Sequence, residues 1–334
     1  METLKFGLIG ASRIAGGALV PALEKAHNAV AWGVAARDPQ KAKEFALEHG
    51  VPHAFSSYDE LLSSPEIEAV YISLPNSDHK EWTIKALEAG KHVICEKALA
   101  LNAAEVLEMA DASRRTGKLL LEGFMWRFHP QVLKALELMP QLGELRHIAA
   151  SFSFMLERPE DIRWVRSLGG GAIFDVGCYT VCAARTFAGR EPVAVTAWTE
   201  ESSSESFGAS LGRGVDTRMV ALLDFGGGLK AQLDCAITQP VRQRLELVGA
   251  TGTLVLETPF VPGRSQAERL PNGSVGPRVL LSGEPVEVEA ADQYQLMVEH
   301  FVEAARGEVA LRYPLEDAIG QATVLDQIFT SARG

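Results

Sequence analysis

Glu96 and Lys97 stand side by side in Val93-Ile94-Cys95-Glu96-Lys97-Ala98-Leu99-Ala100, where an apolar run leaves the core. A lysine at such a point can donate to a substrate hydroxyl, or lower a neighbour's pKa through its charge. A second constellation is Gly169-Gly170-Gly171-Ala172-Ile173-Phe174-Asp175-Val176-Gly177-Cys178-Tyr179. Three glycines admit a close backbone approach, and the pattern behind them predicts a helix. Asp175 and Tyr179 are four apart and share one face of it. A carboxylate and a phenol so aligned can orient a sugar hydroxyl and exchange its proton, and a nearby lysine would favour the phenolate. The plainer alternatives are a solvated strand-end lysine, an aspartate favouring the helix dipole and a tyrosine buried as core.

A third signal lies at the start of the chain. Gly10-Ala11-Ser12-Arg13-Ile14-Ala15 follows the apolar run Leu4–Ile9, where a dinucleotide fingerprint would sit, but Ser12 takes the place of its second glycine. At the end of the next strand, an acidic residue would suit the ribose of NAD and an arginine the 2'-phosphate of NADP. Arg37 falls there, with Asp38 beside it reading as a helix N-cap before Pro39. NADP is favoured, with NAD the alternative.

The elements that must position these residues alternate through the first third. Strands are expected at Leu4–Ile9, Ala29–Ala36, Ala69–Leu74, His92–Cys95 and Lys118–Leu121. Helices are expected to about Lys25, over Gln40–His49, over Glu81–Ala89, and from an Asn102/Glu105 capping box to about Thr116. This alternation implies an α/β fold with a doubly wound parallel Rossmann sheet, whose C-terminal strand ends form one ligand edge. Beyond Glu122 the rhythm changes. Helices over Pro130–Met139, Ala172–Phe187, Tyr294–Arg306 and Leu315–Ser331 surround strand-like runs at His147–Phe154, Val193–Thr199, Met219–Phe225, Leu229–Ala236, Arg244–Val248 and Leu254–Glu257. They predict an α/β domain with a mostly antiparallel open sheet. Residues 1–122 are assigned to the nucleotide domain and 123–334 to substrate binding and oligomerisation, with the C-terminal helix packing back on the first. Gly263–Gly276 reads as a surface loop.

Composition sets the outer limits. The chain has 334 residues, 47% hydrophobic and 22% charged, and a net charge of -11 that argues against a nucleic-acid partner. Cys95, Cys178, Cys182 and Cys235 form no zinc or C-x-x-C spacing, so no metal is expected and the thiols read as buried and reduced in a cytoplasmic protein. Without a run of about 18 uncharged apolar residues, a membrane span is not expected.

Taken together, GLIGASRIA, AVYISLPNSDH, ALEAGKHVICEKALA, LEGFMWRFHPQ, GGGAIFDVGCYTV and DQYQLMVEHF resemble the glucose-fructose oxidoreductase / inositol dehydrogenase / rhizopine catabolism (Gfo/Idh/MocA) family over nearly the whole chain. The EGFM-x-R-F-HP and D-x-G-x-Y stretches are most similar to the branch of dimeric dihydrodiol dehydrogenases, NADP-dependent xylose or glucose 1-dehydrogenases and glucose-fructose oxidoreductase. The resemblance implies catalysis by Lys97, Asp175 and Tyr179. It implies cofactor binding by Gly10, Ser12, Arg13, Ile14, Arg37, Leu74, Pro75, Asn76, His79, Glu96 and Lys97. Substrate contacts would come from Trp126, Arg127, His129, Arg163 and Trp164, although capping or packing would explain His129 equally well. It also implies a homodimer or homotetramer formed through the second sheet. Ala98 departs from the family pattern, which has proline after the lysine. The activity implied is hydride transfer between nicotinamide and a CH–OH group of a sugar or cyclic diol. The alternative is a catalytically silent, cofactor-binding regulator of the same fold.

Overall fold

The computed structural model describes residues 3–202, 214–263 and 276–333. The chain divides into two compact units, Met1–Met125 with Asp292–Ile319, and Trp126–Ala291 with Gly320–Gly334.

The first unit contains β1 (Leu4–Ile9), α1 (Val20–Lys25), β2 (Ala29–Ala35), α2 (Pro39–Glu48), β3 (His53–Phe55), α3 (Tyr58–Ser63), β4 (Ala69–Ile72), α4 (Asn76–Glu88), β5 (His92–Cys95), α5 (Ala103–Thr116) and β6 (Leu120–Glu122). The strands pair in parallel in the order β3-β2-β1-β4-β5-β6. All C-terminal strand ends therefore share one edge, and the order reverses between β1 and β4, where open sheets bind ligands. Every residue of β4 is buried, as a sheet covered on both faces requires. The expected caps form: Asp38 accepts from the Gln40 amide at 2.9 Å, and Asn102 from the Glu105 amide at 2.9 Å. β3 and α3 were not anticipated, because three residues at a sheet edge and six after them are too short for periodicity to register. α4 begins at Asn76 rather than Glu81. Pro75 holds the extended N-cap backbone, and Asp78 in the first turn favours the helix dipole.

The second unit holds α6 (Pro130–Leu138), β7 (Leu145–Met155), α7 (Cys178–Ala188), β8 (Ala194–Glu201), β9 (Asp216–Asp224), β10 (Lys230–Ala236), β11 (Thr238–Gly249), β12 (Thr253–Leu256), β13 (Val279–Leu281) and β14 (Glu284–Val286). Its sheet runs β14-β13-β12-β11-β7-β10-β9-β8, antiparallel throughout except between β7 and β10. The mostly antiparallel sheet is as expected, while the short β13 and β14 are additions. On β9, Met219, Ala221 and Leu223 point inward, and Val220 and Leu222 outward. α7 packs on β7 and β10. Gly263–Gly276, expected as a loop, lies outside the described residues except at its ends. Among the described residues, Arg166–Ala188 has the length and apolarity to cross a membrane, but 78% of its most apolar window is buried inside the protein, as in a core helix.

The chain closes with α8 (Gln293–Ala305) and α9 (Leu315–Ala332). α8 belongs to the first unit. Asp292 caps it and pairs with Lys25 at 3.2 Å, and Asn28 donates to the Glu299 carbonyl at 3.0 Å. Phe301 is fully buried 6.2 Å from Phe6, a burial that contributes about 1.5–3 kcal/mol.

Candidate active site

The predicted site residues fall into two groups, one in each unit. In the first, Gly10 ends β1 at φ +108°, and a Cβ there would lie 3.1 Å from the Ser73 carbonyl oxygen and the Leu74 side chain. The Ala15 amide donates to Ser12 Oγ at 3.1 Å, Ser12 Oγ to Ser73 Oγ at 2.8 Å, and Ser73 Oγ to the Gly10 carbonyl at 3.3 Å. This relay assigns every hydroxyl one donor and one acceptor role, and it gives Ser12 a function the fingerprint glycine lacks: it caps the helix start. That helix opens with a π-turn over Ala15–Leu19, in which the Val20 amide bonds to the Ala15 carbonyl. Arg13, Ile14 and Arg37 are exposed on this edge. Asp38 is occupied as a cap, which leaves Arg37 as the charged group at the end of β2. A bare glycine turn, a helix N-terminus and an exposed arginine fit a dinucleotide carrying an extra phosphate.

The turn after β5 is braced from three sides. Tyr71 on β4 donates its hydroxyl to Glu96 Oε1, and the Lys97 amide donates to Glu96 Oε2 at 3.3 Å. Glu96 is only 8% exposed, and its carboxylate is held by neighbours within the unit. Glu122 Oε1 accepts from the Leu99 amide at 3.0 Å. His79 is fully buried, its Nδ1 3.0 Å from the Ala98 carbonyl oxygen and its Nε2 2.9 Å from that of Leu74. Burial pushes its pKa below the ordinary histidine value, against the pull of those carbonyls, so a single N–H serves one carbonyl at a time. His79 thereby ties the loop after β4 to the turn that carries Lys97. The Lys97–Ala98 peptide is cis, and the Lys97 side chain is half-buried.

In the second unit the triple glycine has specific causes. A Cβ on Gly170 would lie 2.4 Å from the Arg163 carbonyl oxygen, and one on Gly171, at φ +115°, 2.2 Å from Asp216 Oδ1. Behind them Ile173–Gly177 forms a second π-turn, which runs into α7. Such turns recur at functional sites. Asp175 accepts from Arg163 Nε at 2.6 Å, while Arg163 Nη1 donates to Asp161 Oδ1 at 3.1 Å. The Asp175 charge raises the Arg163 pKa further, so the guanidinium stays charged. Tyr179 is 5% exposed, its ring 5.4 Å from those of Phe152 and Phe260. Trp126 stands edge-on to Phe260 at 5.5 Å, and Gln131 fixes that loop by donating to the Thr258 and Pro259 carbonyls at 3.0 and 2.9 Å. Arg127 and Trp164 are buried; the Trp164 indole donates to the Arg158 carbonyl at 3.0 Å. His129 is fully buried and accepts from the Gln131 amide at 3.1 Å, the capping role weighed above.

Residues 4–124 match the oxidoreductase family with the NAD-binding Rossmann fold (GFO_IDH_MocA), and residues 133–255 match the GFO/IDH/MocA C-terminal domain. An uncharacterized oxidoreductase of Rhizobium meliloti is 35% identical over 99% of this chain and 98% of its own length. The chain belongs to the Gfo/Idh/MocA family of oxidoreductases. Another relative, D-xylose 1-dehydrogenase (NADP(+)) 2 of Haloferax volcanii, is 33% identical over 98% of the chain and 97% of its own length. Among solved structures, a 3-ketoreductase from Actinomadura kijaniata in complex with NADP and TDP-benzene superposes with a TM-score of 0.86 at 30% identity, covering 99% of this chain and 98% of that one.

Within the family frame, several residues escaped the sequence reading. Ser73 follows β4 on the ligand edge and was accessible to it. Tyr71, Glu122, Phe152, Phe260 and Asp216 were not, because each acts on a segment distant in sequence.

Proposed function

We propose that this protein is an NADP-dependent dehydrogenase or reductase acting on a CH–OH group of a sugar or related cyclic polyol. The observation that carries the reading is Asp175, pinned by Arg163 at 2.6 Å and placed four residues before a Tyr179 set among aromatic rings. The NADP specificity of the Haloferax volcanii relative supports the cofactor assignment, as does the exposed Arg37. The dinucleotide supplies the two-electron hydride acceptor or donor. Gly10, Ser12, Arg13 and Ile14 hold it at the first helix start and Arg37 takes its 2'-phosphate. Leu74, Pro75 and Asn76 form the loop beside it, braced by His79.

In the oxidation direction, the Tyr179 oxygen takes the proton of the substrate hydroxyl while the carbon gives up its hydride and becomes a carbonyl. Lys97, catalytic in the same reading, is a cation of the kind that favours a phenolate. Asp175, fixed by Arg163, orients the hydroxyl through a charge-assisted hydrogen bond. Phe152 and Phe260 give Tyr179 an apolar wall that limits competing water. Self-association through the outer face of the second sheet belongs to the same reading. There Trp198 is 58% exposed and pairs in register with Val220, itself 40% exposed.

The test is purified protein with NADP+ and a panel of aldoses and trans-dihydrodiols, followed by cofactor absorbance. Tyr179→Phe and Lys97→Met should each lower kcat by about 10²–10⁴. Cofactor bound without turnover of any substrate, by wild type and variants alike, would defeat the proposal in favour of a silent regulator.

A further inference from the structure

Asp216 opens β9 and is 8% exposed. Its carboxylate faces away from the outer surface of the sheet, into the turn that precedes α7. Asp216 Oδ2 accepts from the Ile173 amide at 2.6 Å. Oδ1 occupies the space a Cβ on Gly171 would take, only 2.2 Å from that position. Gly171 is thus shaped around this carboxylate. The turn in turn holds the candidate catalytic groups: the Gly171 amide donates to the Arg163 carbonyl at 2.9 Å, and the Asp175 amide to the Gly171 carbonyl at 3.2 Å. Arg163 and Asp175, the two ends of the ion pair, are therefore both tied by backbone to the glycine that Asp216 seats.

We infer that Asp216 is a positioning residue for catalysis: its carboxylate seats the Gly171–Ile173 turn and so sets where Asp175 and Tyr179 are presented. The inference rests on the catalytic reading of those two residues. Helix starts leave amides without intrahelical partners, and the π-turn at Ile173–Gly177 carries no side-chain cap of its own. A remote carboxylate is the device that replaces a local cap. Among the described residues, the charged and titratable groups that face it are few. Glu201 on β8 lies opposite in register and pairs with Arg166 at 3.8 Å, and the buried Cys235 thiol lies on β10. Burial pushes the Asp216 carboxyl up to about 7, while the hydrogen bond from the Ile173 amide opposes that rise.

Asp216→Asn keeps the size and one acceptor oxygen but presents an NH2 group where the second oxygen stood. Two readouts test it, steady-state kinetics and amide hydrogen exchange resolved to residues 171–179. The expected result is a fall in kcat of about tenfold with KM for substrate and affinity for NADPH near wild type. Exchange should quicken at residues 172–177 and stay unchanged in the first unit. Wild-type kcat together with wild-type protection overturns the inference, as does faster exchange with kcat intact. If Asp216→Asn does not fold, Asp216→Ser, which retains a short acceptor, is read by the same two measurements. If wild type turns over no substrate, the catalytic reading fails on its own, and the seating of the turn is decided by the exchange data alone.

Discussion

Two helices carry the candidate chemistry, and both begin in the same way: a turn built on glycine, then a π-turn, over Ala15–Leu19 ahead of α1 and over Ile173–Gly177 ahead of α7. Their anchors differ. The first is held by Ser12, inside the turn itself, with Ser73 one strand away. The second is held by Asp216, which belongs to a strand more than forty residues downstream. A local hydroxyl leaves the turn open for a ligand's phosphates to take over its amides. A buried carboxylate fills the turn and leaves only the side chains beyond it to meet a substrate. The first arrangement suits binding, and the second suits holding reactive groups still.

The largest expected effect tests the buried anchor through pH. The folded pKa of Asp216, about 7, lies above its ordinary value of 3.8. The group therefore contributes stability that is complete below pH 3.8 and lost as pH rises through 7. Asp216→Asn lacks this dependence. The stability gap between wild type and variant should narrow by about 2–4 kcal/mol between pH 5 and 8 in denaturant titrations. A constant gap would remove the distinction between the two anchors.

Gly171→Ala comes next. Its Cβ would sit against Asp216 at a positive φ, costing about 3 kcal/mol and several degrees of Tm. Gly10→Ala bears a similar φ, but its nearest neighbours stand at 3.1 Å, so its melting point should fall less while cofactor affinity falls more. Equal losses in both variants would erase the contrast. Arg163→Met removes a charge-assisted bond to Asp175 worth about 1.5–3 kcal/mol. It should lower kcat about 10- to 100-fold without changing NADPH binding by fluorescence titration. The smallest effect belongs to Ser12→Ala. Loss of the cap costs about 1 kcal/mol and should weaken cofactor binding about fivefold with kcat preserved.

The same contrast explains what was legible in the sequence. Asp38 and Asn102 act on amides two and three residues away, so their caps could be read directly. The parallel sheet followed from alternation, and its ligand edge from topology, which placed Gly10, Arg37 and Lys97 together on one side of the first unit. Asp216, Tyr71 and Glu122 act across strands, and no local pattern distinguishes an aspartate that opens a strand from any solvated one. Glu96 carries a structural role that no local pattern shows: its carboxylate accepts from Tyr71 on a neighbouring strand and from the next amide. α4 starts ahead of Glu81 because Pro75 holds the N-cap backbone extended at its entry.

The centre of the second sheet has a consequence for how the chain is made. β7 pairs with β10 on one side and β11 on the other, so that Ser151 faces Asp234 and Arg244. At ribosomal speeds, both partners emerge on the order of ten seconds after β7. During that interval a strand carrying Ile148, Ala150 and Phe152 has two unpaired edges. Synthesis of this protein should therefore be most vulnerable to aggregation before β11 is complete. Truncations ending between β7 and β10 should bind holdase chaperones more strongly than those ending after Gly249.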